Sequence, residues 1–270
     1  MIDSLFRLSQ TRNFLYHQQL ASIKSVMHGF SLRHDPGLQR EFNLGLNDYQ
    51  PRDIVMENRK RLIEAVAGTD VPLFTARQIH SDDILTIKDR TLPNRAPEGD
   101  ALVTRLSGVL LGIQSADCLP IIVIDPSRKV IAAIHGGWRG LLKRIVVKTV
   151  KQMEEEFSTN PADILAVIGP GIGPCCYEVG EEIIQSFSES CAGGISFSRD
   201  FPSTRPGKPT SKALDLSAVG THQLLEGGVL SQHIFNSEFC TSCRTDLFFS
   251  HRAESGKTGR FMGVIGLTGI

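Results

Sequence analysis

Between Ala101 and His135 the chain places four short apolar runs with little polar interruption: Leu102-Val103, Val109 to Ile113, Ile121 to Ile124 and Val130 to Ile134. Ser107-Gly108 and Asp125-Pro126-Ser127 punctuate them, which is the pattern of strands joined by turns. A strand with one wet face alternates apolar and polar residues, whereas an unbroken apolar run predicts burial on both faces. At 270 residues the chain is long enough for one large domain or two small ones. No linker separates two apolar cores, so a single domain over residues 1–270 is expected.

Helical patterning flanks these strands. Asp53 to Ala67 reads as a helix: Asp53 can cap it, Val55, Leu62 and Val66 share a face, and Gly68 stops it. Arg59 falls on that apolar face, where a guanidinium needs a carboxylate or a bound anion. Leu141 to Phe157 is amphipathic, with Leu142, Val146, Val150 and Met153 on one stripe. Ile164 to Ile168 reads as a buried strand, followed by the irregular Gly169-Pro170-Gly171-Ile172-Gly173-Pro174 and a helix near Val179 to Ser188. Residues 193–213, rich in Pro, Gly, Ser and Thr, read as a long surface loop. Asp215 to Glu226 predicts a helix ended by Gly227-Gly228, and Phe248-Phe249-Ser250 with Arg260 to Leu267 predicts a pair of strands.

Bulk composition excludes several functions. Lys plus Arg is 29 and Asp plus Glu is 29, so no global field favours nucleic acid, a membrane surface or an acidic partner. No apolar stretch approaches the length of a membrane span. Asp3, Arg7, Arg12 and His17 interrupt the first residues, which lack the core of an export signal. A cytoplasmic protein with reduced cysteines is the expectation.

Three segments each offer one metal-capable side chain: His80 in Arg77-Gln78-Ile79-His80, Cys118 before Leu119-Pro120, and His135 before Gly136-Gly137. All three fall at predicted strand ends. Two imidazoles and a thiol are good zinc ligands, one short of the closed tetrahedron of structural zinc. Hydrogen-bonded core histidines and a small buried cysteine are the alternative reading. Cys175-Cys176 reads as packing, although a thiol at a helix start can be reactive. Cys240-Thr241-Ser242-Cys243 has metal-site spacing without a second C-x-x-C to complete it, so no chemistry is read there.

The strings Arg77-Gln78-Ile79-His80, Gly99 to Thr104, Ala116-Asp117-Cys118-Leu119-Pro120 and His135-Gly136-Gly137-Trp138-Arg139-Gly140 resemble the YfiH-type laccase-domain family. So do Ile168-Gly169-Pro170, Cys176 to Gly180, Phe249-Ser250-His251-Arg252 and Thr258-Gly259-Arg260, in family order over nearly all the chain after residue 26. That resemblance implies an α+β fold: a single domain of mixed β-sheets packed as a sandwich and flanked by helices. It also implies zinc held by His80, Cys118 and His135, which would be the catalytic centre. The family often has Tyr where this chain has His251.

Members of the family are named polyphenol oxidoreductases, purine nucleoside phosphorylases or peptidoglycan-editing factors. A multicopper oxidase needs more imidazoles, largely in His-X-His pairs, than this chain's 8 histidines provide, and no such pair occurs. One copper on a Cys-His site stays open. The resemblance favours phosphorolysis of adenosine, inosine, guanosine or methylthioadenosine, with adenosine deamination beside it. Its substrates would be a purine nucleoside and phosphate, with no nucleic-acid or membrane partner. Arg59 and Arg139 are candidate phosphate clamps, since arginine grips phosphate with two donors. Asn43 is a candidate substrate contact, and Arg260 reads either as a pocket residue or as a strand-end charge. The alternative reaction is hydrolysis of a cell-wall precursor amide, through zinc or through Cys118 with His135 as its base. Adjacent residues of a strand face opposite ways, so Asp117 is not expected to join Cys118 in such a site.

Overall fold

All four apolar runs are strands in the computed structural model, which describes residues 5–190, 196–201 and 211–269. The chain opens with β1 (Phe6–Leu8), β2 (Phe14–His17), α1 (Gln18–Ala21), β3 (Val26–Ser31), α2 (Arg52–Ala67), β4 (Leu73–Thr75) and β5 (Ile84–Thr86). The apolar stretch supplies β6 (Ala101–Thr104), β7 (Val109–Ser115), β8 (Leu119–Asp125) and β9 (Val130–Gly136), followed by α3 (Trp138–Leu142) and α4 (Ile145–Phe157). Then come β10 (Leu165–Ile168), β11 (Glu178–Val179), α5 (Glu181–Ser190), β12 (Ser198–Phe201) and β13 (Ser211–Leu214). The last elements are α6 (Leu216–Glu226), β14 (Ile234–Asn236) and β15 (Phe261–Leu267).

Among the described residues one six-stranded sheet has the order β1-β2-β3-β15-β7-β4 and another β14-β10-β8-β9-β6-β5; a smaller sheet is β11-β13-β12. Both large sheets are mixed, since β4–β7 and β5–β6 are parallel while β8–β9 and β15–β7 are antiparallel. Side-chain alternation explains the unbroken apolar runs. Ile122, Ile124, Ile131, Ala133 and Val167 join Phe30, Leu111, Ile113, Phe261 and Ile265 of the other sheet in one core. Their neighbours Ile121, Val123, Ala132, Ile134, Ala166 and Ile168 pack instead with Leu141, Val146, Val150, Met153, Val219 and Leu224 from α3, α4 and α6. Beyond the first sheet, Met262 and Val264 meet Leu62 of α2 together with Phe42 and Leu44. The layers therefore run helix, sheet, sheet, helix, in a single domain. Each isoleucine buried in this way stabilises the fold by about 1.5–3 kcal/mol.

Local expectations changed in four places. Helix α2 begins at Arg52 after Pro51, with no side-chain cap; Asp53 sits in its first turn, where a carboxylate favours the helix dipole. Gly68 does end it, at φ 70°. The single helix expected over Leu141 to Phe157 is two, because Arg144 takes φ 67° and turns the chain between α3 and α4. Part of the loop expected over 193–213 is the antiparallel pair β12–β13, whose mostly polar, part-exposed residues carry little apolar signal. Residues 193–195 and 202–210 of that expectation lie outside the described residues. Phe248-Phe249-Ser250 is not a strand: both phenylalanines are fully buried anchors of an irregular segment, and β15 pairs with β3 and β7. No helix among the described residues is long and apolar enough to cross a membrane.

Ile122 is fully buried between the sheets. Ile122→Ala is expected to lower unfolding free energy by about 2–5 kcal/mol in urea denaturation. Exposed Met56→Ala should stay within about 0.5 kcal/mol of wild type.

Candidate metal centre

Strand pairing explains why the three candidate ligands meet. His135 lies near the end of β9 and stands opposite Pro120 of β8, so Cys118, just before β8, arrives from one side. On the other side β6 pairs Ala101 with Ile134, which sets Asp100 beside His135; the His135 amide donates to the Asp100 carbonyl at 2.7 Å. The segment bearing His80 leads into β5, which lies parallel to β6. Thus β9 ends where β8, β6 and β5 begin, and every approach comes at one end of the sheet.

The ligand atoms of His80, Cys118 and His135 lie within 4.8 Å of one another. Cys118 Sγ is 3.9 Å from His80 Nε2, and the imidazole centroids are 4.9 Å apart. Zinc bonds of about 2.3 Å to sulfur and about 2.0 Å to nitrogen place tetrahedral S and N about 3.6 Å apart, so the trio needs little adjustment. A Cβ on Gly137 would stand 3.0 Å from the His80 ring and 3.3 Å from Cys118 Sγ, which is why glycine follows here. His135 is buried, Cys118 half-buried and His80 exposed, so the centre opens to solvent on one side.

Asp100 orders two of the three ligands. Its fully buried carboxylate accepts from the amides of Ile79, His80 and Ser81 at 3.1, 3.0 and 2.7 Å and from Ser81 Oγ at 2.9 Å. These amides hold the His80 backbone at φ 59°. The same carboxylate lies 2.7 Å from His135 Nδ1, which leaves Nε2 as the nitrogen available to a metal. Burial opposes ionisation of Asp100, but the His135 and Ser81 hydrogen bonds outweigh it and hold the carboxyl down at about 2. Burial likewise raises the Cys118 thiol, yet the adjacent His135 charge and hydrogen bond bring it down to about 6. Burial lowers His135, while Cys118 and Asp100 push it up to about 9. The protein's own field favours a thiolate at Cys118, the form that ligates metal.

Asp117 is turned elsewhere. At φ 100°, its carboxylate accepts from Thr241 Oγ1, Ser250 Oγ and the Arg252 amide at 2.7, 2.8 and 2.7 Å. It fastens the later loops against the β7–β8 turn. Those loops carry Arg252 and Arg260. Tyr177 lies in the electrostatic reach of Cys118, Arg252, Asp117 and Arg139, and half-buried Arg260 in that of Cys118 and Asp117. Arg252 stacks on Tyr177 at 5.3 Å and donates to the carbonyls of Cys176 and Glu178. Arg139 lies over Trp138 at 4.3 Å. His251 is exposed and packs its ring beside Gly256.

Of the residues expected to touch substrate, Arg139 is exposed on α3 beside Trp138, whereas Asn43 and Arg59 are buried. Asn43 is fully buried; its Oδ1 accepts from the amides of Gly45 and Arg260, and its Nδ2 donates to the Gly45 carbonyl. Arg59 meets no carboxylate among the described residues: its Nε donates to the Leu44 carbonyl at 2.9 Å, and its buried Nη2 has no partner among them. Burial first, then the charge of Arg52, lowers that guanidinium to about 10. Asp100, Tyr177 and Arg252 received no role from sequence, although each sits in a string that carried the family resemblance.

A family model described as multi-copper polyphenol oxidoreductase laccase matches residues 27–268. The purine nucleoside phosphorylase YlmD of Geobacillus stearothermophilus is 37% identical over 231 residues, 83% of this chain and 82% of that protein. A purine nucleoside phosphorylase of Bacteroides thetaiotaomicron is 31% identical over 271 residues, covering 97% and 98%. Among solved structures, YlmD from Geobacillus stearothermophilus superposes with a TM-score of 0.86 at 33% identity, covering 98% of this chain and 99% of that one. The Bacillus licheniformis hypothetical protein YfiH gives 0.85 at 30% identity, covering 98% and 100%.

Removing the Asp100 charge tests its hold on the ligands. Asp100→Asn is expected to weaken the affinity of this candidate centre for added zinc about 10- to 100-fold in chelator competition. Asp163→Asn, on an exposed carboxylate, should leave it unchanged.

Proposed function

The chain belongs to the multi-copper polyphenol oxidoreductase laccase family, and on that premise we propose that it is a zinc-dependent purine nucleoside phosphorylase. Its substrates in this reading are phosphate and adenosine, inosine, guanosine or methylthioadenosine, with adenosine deamination as a second reaction of the same site. The observation that carries the proposal is a Cys-His-His centre open to solvent at His80, with Arg260 in the electrostatic reach of Cys118 and with Arg139 and Arg252 in that of Tyr177. The names of the relatives supply the reaction class.

The donor set fits zinc: one thiolate, two imidazoles and a carboxylate behind one of them. Bound by His80, Cys118 and His135, zinc would supply Lewis acidity at the open side of the trio. A single copper fits the same soft and imidazole donors, and zinc is preferred here because no change of oxidation state is needed for phosphorolysis.

In phosphorolysis a phosphate oxygen bonds to the ribose anomeric carbon as the bond from that carbon to the purine nitrogen breaks. Positive charge develops on the sugar and negative charge on the leaving base. In the proposal Arg139, Arg252 and Arg260 bind the phosphate and orient its attacking oxygen, work for which forked guanidinium donors suit. Asn43 and Arg59 act as positioning residues: Asn43 Oδ1 takes the Arg260 amide at 2.7 Å, and Arg59 holds Leu44, whose amide donates to the Arg260 carbonyl. Burial, then the Cys118 charge, pushes the Tyr177 phenol up to about 12. Tyr177 therefore stays protonated at neutral pH and can donate to the departing purine. A second reading, hydrolysis of a cell-wall precursor amide with Cys118 as nucleophile and His135 as base, is favoured by the lowered thiol of Cys118.

Chromatography of inosine incubated with purified protein separates these readings. Hypoxanthine is expected only when phosphate is present. No hypoxanthine from protein that holds zinc would overturn the phosphorylase and turn the test to amide substrates. Losing one charge-assisted contact in Arg260→Ala should raise the KM for phosphate about 10- to 100-fold.

A further inference from the structure

A second group of metal-capable side chains lies beside Tyr177, and the proposed reaction does not use it. Cys175 and Cys176, on the loop ending in Tyr177, meet Cys240 and Cys243 from the segment after β14. All four sulfurs lie within 4.8 Å of one another. Cys243 Sγ is 3.5 Å from that of Cys175 and 3.4 Å from that of Cys176. Four thiolates bound to zinc at about 2.3 Å form a tetrahedron with edges of about 3.8 Å, so small shifts would close one here.

The backbone around the sulfurs is built to match. Gly171 and Cys240 form a bridge: the Gly171 amide donates to the Phe239 carbonyl at 3.2 Å and the Thr241 amide to the Gly171 carbonyl at 3.0 Å. The Gly173 amide donates to Cys240 Sγ at 3.2 Å, a hydrogen bond that stabilises a thiolate and orients it as a ligand. A Cβ on Gly173 would come within 3.3 Å of both Cys175 Sγ and Cys240 Cβ, so glycine keeps that space open for the sulfurs. Cys175 and Cys243 are exposed, which leaves an entry path for an ion.

We propose that Cys175, Cys176, Cys240 and Cys243 bind a second zinc ion as a closed, structural tetrathiolate site. Soft sulfur donors in a tetrahedron select zinc, and four protein ligands leave no open position for catalysis. The ion ties the loop that carries Tyr177 to the segment that Asp117 grips through Thr241, while Arg252 Nη1 takes the Cys176 carbonyl. Its role is to hold these segments in shape.

The test is elemental analysis of full-length protein purified without chelator. Wild type should carry about two zinc per chain, and Cys118→Ala and Cys243→Ser about one each. Cobalt loaded into Cys118→Ala should show the intense sulfur-to-metal and d–d bands of a tetrathiolate, which Cys243→Ser should lack. If Cys243→Ser fails to fold, Cys175→Ser, at the other exposed thiol, should give the same losses. A single zinc that Cys118→Ala keeps and Cys243→Ser loses would support this site and overturn the catalytic ligand assignment instead. The proposal is overturned if Cys118→Ala holds no metal, if both cysteine-cluster variants keep the wild-type zinc content, or if mass spectrometry finds these cysteines in disulfides.

Discussion

The carboxylate of Asp100 has no exposed surface, yet it stays ionised because the amides of three successive residues, a serine hydroxyl and an imidazole all converge on it. An unpartnered buried carboxylate would protonate or destabilise the fold; a fully satisfied one becomes a fixed point. Both histidines are set from it. The His80 backbone is bent into the left-handed region by amides that reach for Asp100, and the His135 ring is turned by the same oxygens. Two of the three candidate ligands therefore take their geometry from one buried anion.

That anion can be placed because the sheet around it is rigid. The strands β6, β8 and β9 are covered by a second sheet on one face and by helices on the other, and slipping any of them by one residue would swap the two apolar faces. With register pinned, Cys118, Asp100 and His135 must arrive side by side at the same end. The proposed substrate groups are assembled differently. Tyr177, Arg252 and Arg260 come from irregular segments held by Asp117, Asn43 and, in our proposal, a tetrathiolate zinc site. The candidate ligands stand at strand ends and the proposed substrate groups on fastened loops, which divides the work between precision and reach.

Much of this fold was legible as sequence. Apolar runs without alternation mean burial on both faces, and the two-sided packing of Ile121 and Ile122 is that rule made concrete. Gly68 ended its helix as expected. Misreadings came where apolar residues do not share one kind of partner. Phe248 and Phe249 are as apolar as any strand but anchor a loop, and the polar β12 and β13 pair with hardly an apolar face to show it. Arg59 was legible as buried and illegible in purpose: its position on α2 did not say that a backbone carbonyl would receive it.

The sequence by itself determined the periodicities, hence the strands, most helices and their buried faces, because these depend on neighbours a few residues away. Through the resemblance of its motifs it also singled out His80, Cys118 and His135. Only the tertiary structure decided that Asp100 joins two of them, that Asn43 is spent on the Arg260 amide, and that Cys175 and Cys176 meet Cys240 and Cys243. Those contacts link residues tens to hundreds of positions apart, and their existence rests on strand order and loop closure. A local pattern carries information about faces; it carries none about which distant faces the packed layers bring together.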